Sequence, residues 1–231
     1  MFPAARYSRG SDLLPRATKG TTMDTELHQQ TLYAGAPAVH VKQLFDPTTH
    51  QAIIEFLDTR AKMIPMDVDD HTFFRTQAHN VPFFVAIHHQ LTQVACDILG
   101  ERVKPSYVFL SRYTDQGICP LHMDRHQCRY TLDYLIRQSS DKPWPIYVSD
   151  QMSDEARLAL DDIPGAGHPE TDEQIAQVKA EQTWHQIDME PNDAVALSGS
   201  HSWHYRDRIP EGTADLLFFH FVPENFNGTL D

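Results

Sequence analysis

Cysteine is scarce in this chain: Cys96, Cys119 and Cys128 are the only three among 231 residues. No C-x-x-C pair occurs, so a zinc site lacks its usual spacing and free thiols near a strand are the simpler reading. An odd, sparse set with no secretory signal argues against a disulfide scaffold and predicts a reducing, cytoplasmic setting. Basic residues are also few. Nineteen Lys and Arg stand against 32 Asp and Glu, a net charge of −13. Such a field repels phosphate backbones, so nucleic acid is not an expected partner. No apolar run approaches the roughly 20 residues that span a bilayer, so no membrane segment is expected. Internal repeats and low-complexity tracts are absent as well. What remains, with 41% hydrophobic and 22% charged residues, is the composition of one globular domain large enough to bury a real core.

The first 22 residues differ from the rest. Arg6, Arg9, Arg16 and Lys19 face a single acid, Asp12. The composition resembles a transit peptide, but Pro3, Gly10, Pro15 and Gly20 interrupt any amphipathic helix. Residues 1–22 are therefore read as a disordered or non-native extension, with Met23 as an alternative start. Residues 23–231 are read as a single domain carrying an acidic insertion at about 149–182.

Structure is expected from about Val39. Asp46 or Thr48 caps a helix with Pro47 at its start, and Ala52, Ile53, Phe56 and Leu57 recur at helical spacing. Phe83, Ile87, Leu91, Val94, Ala95 and Leu99 predict a second helix, ended by Gly100. The pattern then changes to strands: Tyr107–Tyr113, Leu121–Asp124, Arg129–Ile136, Trp144–Val148, Thr183–Met189, Ala194–Ser198, Ser202–Tyr205 and Asp215–Val222. Asp115, Gln116 and Gly117 read as a turn. Two short helices, Ser153–Leu160 and Glu173–Ala180, flank a Pro/Gly break in the insertion. Helices followed by many short strands predict an α+β domain. A double-stranded β-helix, or jelly roll, with supporting N-terminal helices is the economical architecture, since it limits exposed edges and holds a site in its mouth.

The chemistry centres on His122-Met123-Asp124 and a later histidine. Side chains two apart on an extended chain point to the same side, so His122 and Asp124 form a pair that a later strand can complete. Two imidazoles and one carboxylate on one face of a metal leave the other face open, the arrangement of non-haem Fe(II) oxygenases. His201 and His204 compete for the third place. Alternation sets Ser200, Ser202, His204 and Arg206 on one face, and His204 is preferred because a cation follows it on that face. His126, His168, His185 and His220 are read as solvent or core histidines. Trp144, Trp184 and Trp203 could line a pocket, although an aromatic near a strand is more often core.

The order of these motifs resembles a known family. Tyr113-x-x-x-Gly117, Leu121-His122-x-Asp124 and Tyr130-Thr131-Leu132-Asp133-Tyr134-Leu135 are similar to the proximal half of the Fe(II)/2-oxoglutarate-dependent dioxygenases, in their prolyl-hydroxylase-like branch. Pro191-x-Asp193-Ala-Val-Ala-Leu197, then His204, Gly212 and an apolar strand, resemble the distal half. The resemblance runs from about Val39 to Pro223. It implies a jelly roll, Fe(II), 2-oxoglutarate with ascorbate as an accessory reductant, and release of succinate and carbon dioxide. The metal ligands would be His122, Asp124 and His204, and the substrate a small molecule or an amino-acid side chain. A carboxylate at position 124 implies hydroxylation or desaturation rather than halogenation.

One departure stands out. The family places an Arg or Lys two residues after the glycine of the last strand; here that residue is Ala214, followed by Asp215. The distal carboxylate of 2-oxoglutarate needs a cation. Arg206 is the first candidate, Arg137 the second and Arg129 the third, with Tyr113 as a hydroxyl donor. Arg206 could instead pair with Asp207 or Asp133. Two further readings stay open: a cupin-type metal enzyme that uses no 2-oxoglutarate, and a metal-binding sensor without catalysis. The insertion is expected to act as a lid or substrate-recognition loop, with a plain surface insertion as the alternative.

Overall fold

The computed structural model describes residues 36–163 and 167–230. The expected extension at 1–22 and Pro164 and Gly165 of the insertion lie outside the described residues. The elements run β1 (Ala38–Val41), α1 (Pro47–Arg60), β2 (Asp67–Asp69), β3 (Arg75–His79), α2 (Pro82–Gln90), α3 (Thr92–Leu99), β4 (Val103–Tyr113), β5 (Cys119–His122), β6 (Tyr130–Gln138) and β7 (Ile146–Ser149). They continue with α4 (Asp154–Asp161), α5 (Asp172–Glu181), β8 (Trp184–Ile187), β9 (Ala194–Leu197), β10 (His204–Arg206) and β11 (Ala214–Pro223). Among the described residues no helix is long and apolar enough to cross a membrane.

The strands form two antiparallel sheets in a jelly-roll-like arrangement. The major sheet has the order β1-β9-β6-β11-β4-β3-β2, and the minor sheet β5-β10-β7-β8. The outer face of the major sheet presents Val108, Leu110, Leu132, Tyr134, Leu217, Phe219 and Phe221 to the helices. There they meet Ile53 and Leu57 of α1, Phe84 and Ile87 of α2, and Ala95 and Leu99 of α3. The inner face, with Tyr113, Leu135, Val195, Leu197 and Leu216, meets Trp144, Ile146 and Val148 of the minor sheet side. Burial on both faces explains why β9 and β11 read as nearly continuous apolar runs, whereas β6 sets Thr131 and Asp133 on its inner, cavity-lining face.

Local chemistry sets most element ends. The Asp46 carboxylate accepts the backbone N–H groups of Thr48 (2.9 Å) and Thr49 (3.2 Å), so Asp46 rather than Thr48 caps α1. Gly100 adopts φ 72° and its N–H reaches the Cys96 carbonyl at 2.9 Å, closing α3. The single helix expected across 83–99 is two, α2 and α3, joined at Leu91. At that junction the Thr92 hydroxyl donates to the His89 carbonyl at 3.0 Å. In the insertion, Ser153 caps α4 and Thr171 forms a capping box with Gln174 on α5.

Three strand expectations need correction. Strands β1, β2 and β3 are not expected from the sequence; β3 turns polar and charged side chains inward, so it carries no apolar alternation. Strand β5 ends at His122, and Asp124 lies beyond it. Strand β10 begins at His204 rather than Ser202, because the N–H groups of His201 and Ser202 both turn back to the Ser198 carbonyl.

Candidate metal centre and cavity

His122 ends β5 and His204 begins β10, and these two residues are register partners across the minor sheet. Their rings lie 4.3 Å apart, centroid to centroid. Asp124 follows β5, tied by its N–H to the Gly199 carbonyl at 2.9 Å. Asp124 Oδ1 comes to 3.4 Å from His122 Nε2 and 3.7 Å from His204 Nε2. One ligating atom from each of the three residues lies within 4.8 Å of the others.

The second nitrogen of each imidazole is already engaged. His122 Nδ1 sits 2.7 Å from the Pro120 carbonyl and His204 Nδ1 sits 3.0 Å from the Ser202 carbonyl. A carbonyl only accepts, so both rings carry a proton on Nδ1 and turn Nε2 toward Asp124. Thr131 donates its hydroxyl to Asp124 Oδ2 at 3.3 Å. Burial lowers His204 to about 4, with His122 adding to the effect. Burial alone would raise Asp124, but His204 and His122 hold it well below the carboxylate range. Burial would likewise lower His122, yet Cys119 and Asp124 carry it well above its ordinary value. A buried carboxylate that draws a positive charge between two oriented imidazoles is a donor set that fits a divalent metal.

The three residues open on a cavity of about 260 Å³ between the sheets. Its wall on the major sheet is built in rows of register partners. One row runs His79, Phe109, Phe218, Asp133; another runs Arg75, Tyr113, Ala214. Residues directly opposite in antiparallel strands share a face, so these rows point inward together. Arg125 and His220 also line the cavity.

The four candidate cofactor residues fall in different places. Tyr113 and Arg206 line the cavity. Burial pushes the Tyr113 phenol up to about 12, which keeps it a neutral hydrogen-bonding group. Arg206 is ion-paired with Asp133 at 2.7 Å, both side chains being 3% exposed. It also donates to the Trp144 carbonyl at 2.6 Å. Burial raises Asp133, and Arg206 opposes that push. Arg137 lies away from the cavity, bonded to Asp58 (2.7 Å) and Asp215 (2.9 Å). Arg129 also lies off the cavity, against Ser198 and Asp154.

Other histidines sort as well. His201 pairs with Asp154 at 3.0 Å and does not line the cavity. His126 and His185 bond surface carboxylates. His220, read from the sequence as a solvent or core residue, lines the cavity and bonds Thr131 at 3.0 Å. His168 stands with its ring 5.8 Å from that of His122. No tryptophan lines the cavity; Trp144 packs edge-on to Tyr113 at 4.8 Å. The cysteines are free thiols, and Cys128 bonds the Tyr107 hydroxyl at 2.9 Å. Sequence reading missed Arg75, Gln77 and His79 because it missed β3.

No protein-family model and no curated protein matches the chain. Solved structures do. The non-haem α-ketoglutarate-dependent carbocyclase SnoK of nogalamycin biosynthesis superposes with a TM-score of 0.66 at 8% identity, covering 86% of each chain. HygX from Streptomyces hygroscopicus, with nickel and 2-oxoglutarate bound, superposes at 0.56 with 12% identity, covering 84% of this chain and 86% of HygX. AviO1 from Streptomyces viridochromogenes Tue57 superposes at 0.57 with 15% identity, covering 84% of this chain and 92% of AviO1. At these identities the likeness is one of fold, and the chain has the fold of these proteins.

Proposed function

We propose that the protein is an Fe(II)- and 2-oxoglutarate-dependent oxygenase that hydroxylates or desaturates a small molecule or an amino-acid side chain. Succinate and carbon dioxide would be released. The observation that carries this reading is the convergence of His122 Nε2, His204 Nε2 and the Asp124 carboxylate on one side of a cavity between the sheets. Structures of the same fold support it: HygX is described with iron bound, and with nickel, 2-oxoglutarate and hygromycin B, and SnoN with Fe3+, α-ketoglutarate and nogalamycin RO. The likeness does not reach to the prolyl-hydroxylase-like branch, which rests on the sequence motifs alone.

In this reading His122, Asp124 and His204 hold the metal on one face and leave the cavity side open. When bound, Fe(II) together with 2-oxoglutarate supplies the activation of dioxygen. The Pro120 and Ser202 carbonyls fix both imidazoles, and Thr131 fixes the carboxylate. Tyr113 serves as a neutral hydroxyl partner for the 2-oxo acid. Phe73, Tyr107, Phe109 and Phe218 line the cavity and limit its water, which strengthens every charged contact inside. Three guanidinium groups face the same space, Arg75, Arg125 and Arg206. Arg137 and Arg129, spent on ion pairs outside it, are not retained as cofactor ligands.

The test is succinate production from 2-oxoglutarate with Fe(II) and ascorbate, wild type against His122→Ala. Turnover by wild type and loss in the variant is the expected result. One observation favours a second reading, a cupin-type enzyme without 2-oxoglutarate: position 214 is alanine, and Arg206 is already neutralised by Asp133. Oxygen consumption that is indifferent to 2-oxoglutarate would select it, and metal binding without any oxygen consumption would select a sensor.

A further inference from the structure

The cation missing at position 214 has a neighbour in the same row. Ala214 on β11 is the register partner of Tyr113 on β4, and Tyr113 is the partner of Arg75 on β3. Strands lie about 4.8 Å apart, so Arg75 starts two strands from Ala214, and its long side chain crosses Tyr113. The guanidinium lies over three rings, Phe73 at 3.9 Å, Phe109 at 4.8 Å and Tyr113 at 5.5 Å. Its Nη1 donates to the Tyr113 hydroxyl at 3.0 Å. Phe73 in turn packs edge-on to His122 at 6.0 Å, which places Arg75 one ring away from the metal centre.

Arg75 differs from Arg206 in what it lacks. Among the described residues no carboxylate lies within ion-pair distance of Arg75, while Arg206 holds Asp133 at 2.7 Å. Arg75 Nε is buried with no hydrogen-bond partner, and so is Gln77 Oε1, two residues along the same inward face of β3. A half-buried guanidinium that faces a cavity with no carboxylate partner and a buried, unpartnered Nε is costly unless an anion meets it.

Resting on the oxygenase reading above, we infer that Arg75 binds the distal carboxylate of the 2-oxo acid, with the Tyr113 hydroxyl beside it, in place of the cation absent from position 214. The anchor thus comes from β3, the strand next to the edge of the major sheet.

Calorimetric titration of Ni(II)-loaded protein tests this with two probes, 2-oxoglutarate and 2-oxobutyrate, which lacks the distal carboxylate. Arg75→Ala should weaken 2-oxoglutarate roughly 100-fold, the scale of a lost charge-assisted pair, and leave 2-oxobutyrate and Ni(II) within about twofold. Arg75→Lys should recover part of the loss. Equal weakening of both probes would overturn the assignment, making Arg75 a support of cavity shape. So would an unchanged Arg75→Ala beside a loss of 2-oxoglutarate in the double variant Arg206→Met/Asp133→Leu, which would assign the anchor to Arg206. Wild-type protein that holds Ni(II) but neither 2-oxo acid would overturn the oxygenase reading itself, and Arg75's role with it.

Discussion

Gly199 and Asp124 are fitted to one another. The Gly199 carbonyl accepts the Asp124 N–H at 2.9 Å. A Cβ at position 199 would fall inside van der Waals contact of Asp124 Oδ2, 2.6 Å from the Cys128 carbonyl and 2.8 Å from the Thr131 hydroxyl. Glycine here is demanded by close approach, because the carboxylate fills the space a side chain would take.

Gly199→Ala should therefore turn the Asp124 carboxylate away from the two imidazoles. Metal affinity is expected to fall about 10- to 100-fold, the range seen when groups that orient ligands are lost. Titration with Ni(II) reads the affinity, and an unchanged far-ultraviolet dichroism spectrum shows that the sheets persist. Affinity equal to wild type would mean that the backbone, not the carboxylate, yields.

The Arg206–Asp133 pair predicts a non-additive cycle. Arg206→Met alone leaves Asp133 buried without its charge partner, and Asp133 Oδ1 already lacks a hydrogen bond. The single variant should lose about 3–5 kcal/mol of stability, whereas Arg206→Met/Asp133→Leu should lose far less. Urea unfolding of the two singles and the double measures the coupling. Additive losses would show that the pair is solvated in solution.

His88 predicts part of the acid sensitivity. It is 2% exposed, packs against Phe221 at 4.6 Å, and its Nε2 has no partner. Burial lowers it to about 3 from 6.5, with His220 and His89 adding to the shift. Between those values the unfolded chain binds the proton and the folded chain does not. Stability is thus full above pH 6.5 and falls as pH drops below it. Replacing His88 by Leu removes that dependence, so acidification from pH 7.5 to 5.0 should cost the variant about 2 kcal/mol less than wild type. Urea unfolding at the two pH values checks this, and parallel losses would refute it.

The acidic insertion is docked rather than free. Leu160 of α4 and Ile175 and Val178 of α5 pack against Leu121, Met123 and Trp203, and the Gly167 carbonyl accepts the Met123 N–H at 2.9 Å. Deleting 151–182 should expose that cluster and lower the melting temperature by several degrees. A lid role is better tested with His168→Ala, which should change the apparent affinity for substrate while Ni(II) affinity holds. An unchanged substrate affinity would leave the segment a structural cover.

Much of the frame was legible in the chain because its signals are local. Asp46 before Pro47, Gly100 after Leu99, and Ser153 ahead of α4 mark helix ends through hydrogen bonds that span a few residues. The apolar runs of β9 and β11 announced strands buried on both faces. His122 and Asp124 stood out by their spacing, and His204 by the cation two residues on. The chain could not show that Leu91 divides a helix, since both halves share one apolar face.

Other features belong to the tertiary structure alone. Strand β3 was invisible because polar residues, Arg75, Gln77 and His79, occupy its cavity-facing positions, which removes the apolar alternation that marks a strand. Which guanidinium is free and which is spent depends on Asp133, Asp58 and Asp215, residues distant in the chain that sheet register brings to Arg206 and Arg137. Residue types and spacing determined by themselves the proposed donor set and the main helix ends, since these follow from short-range geometry. The partners of each buried charge were decided only by the fold, because electrostatic pairing acts through space, and the chain order does not record which strands lie side by side.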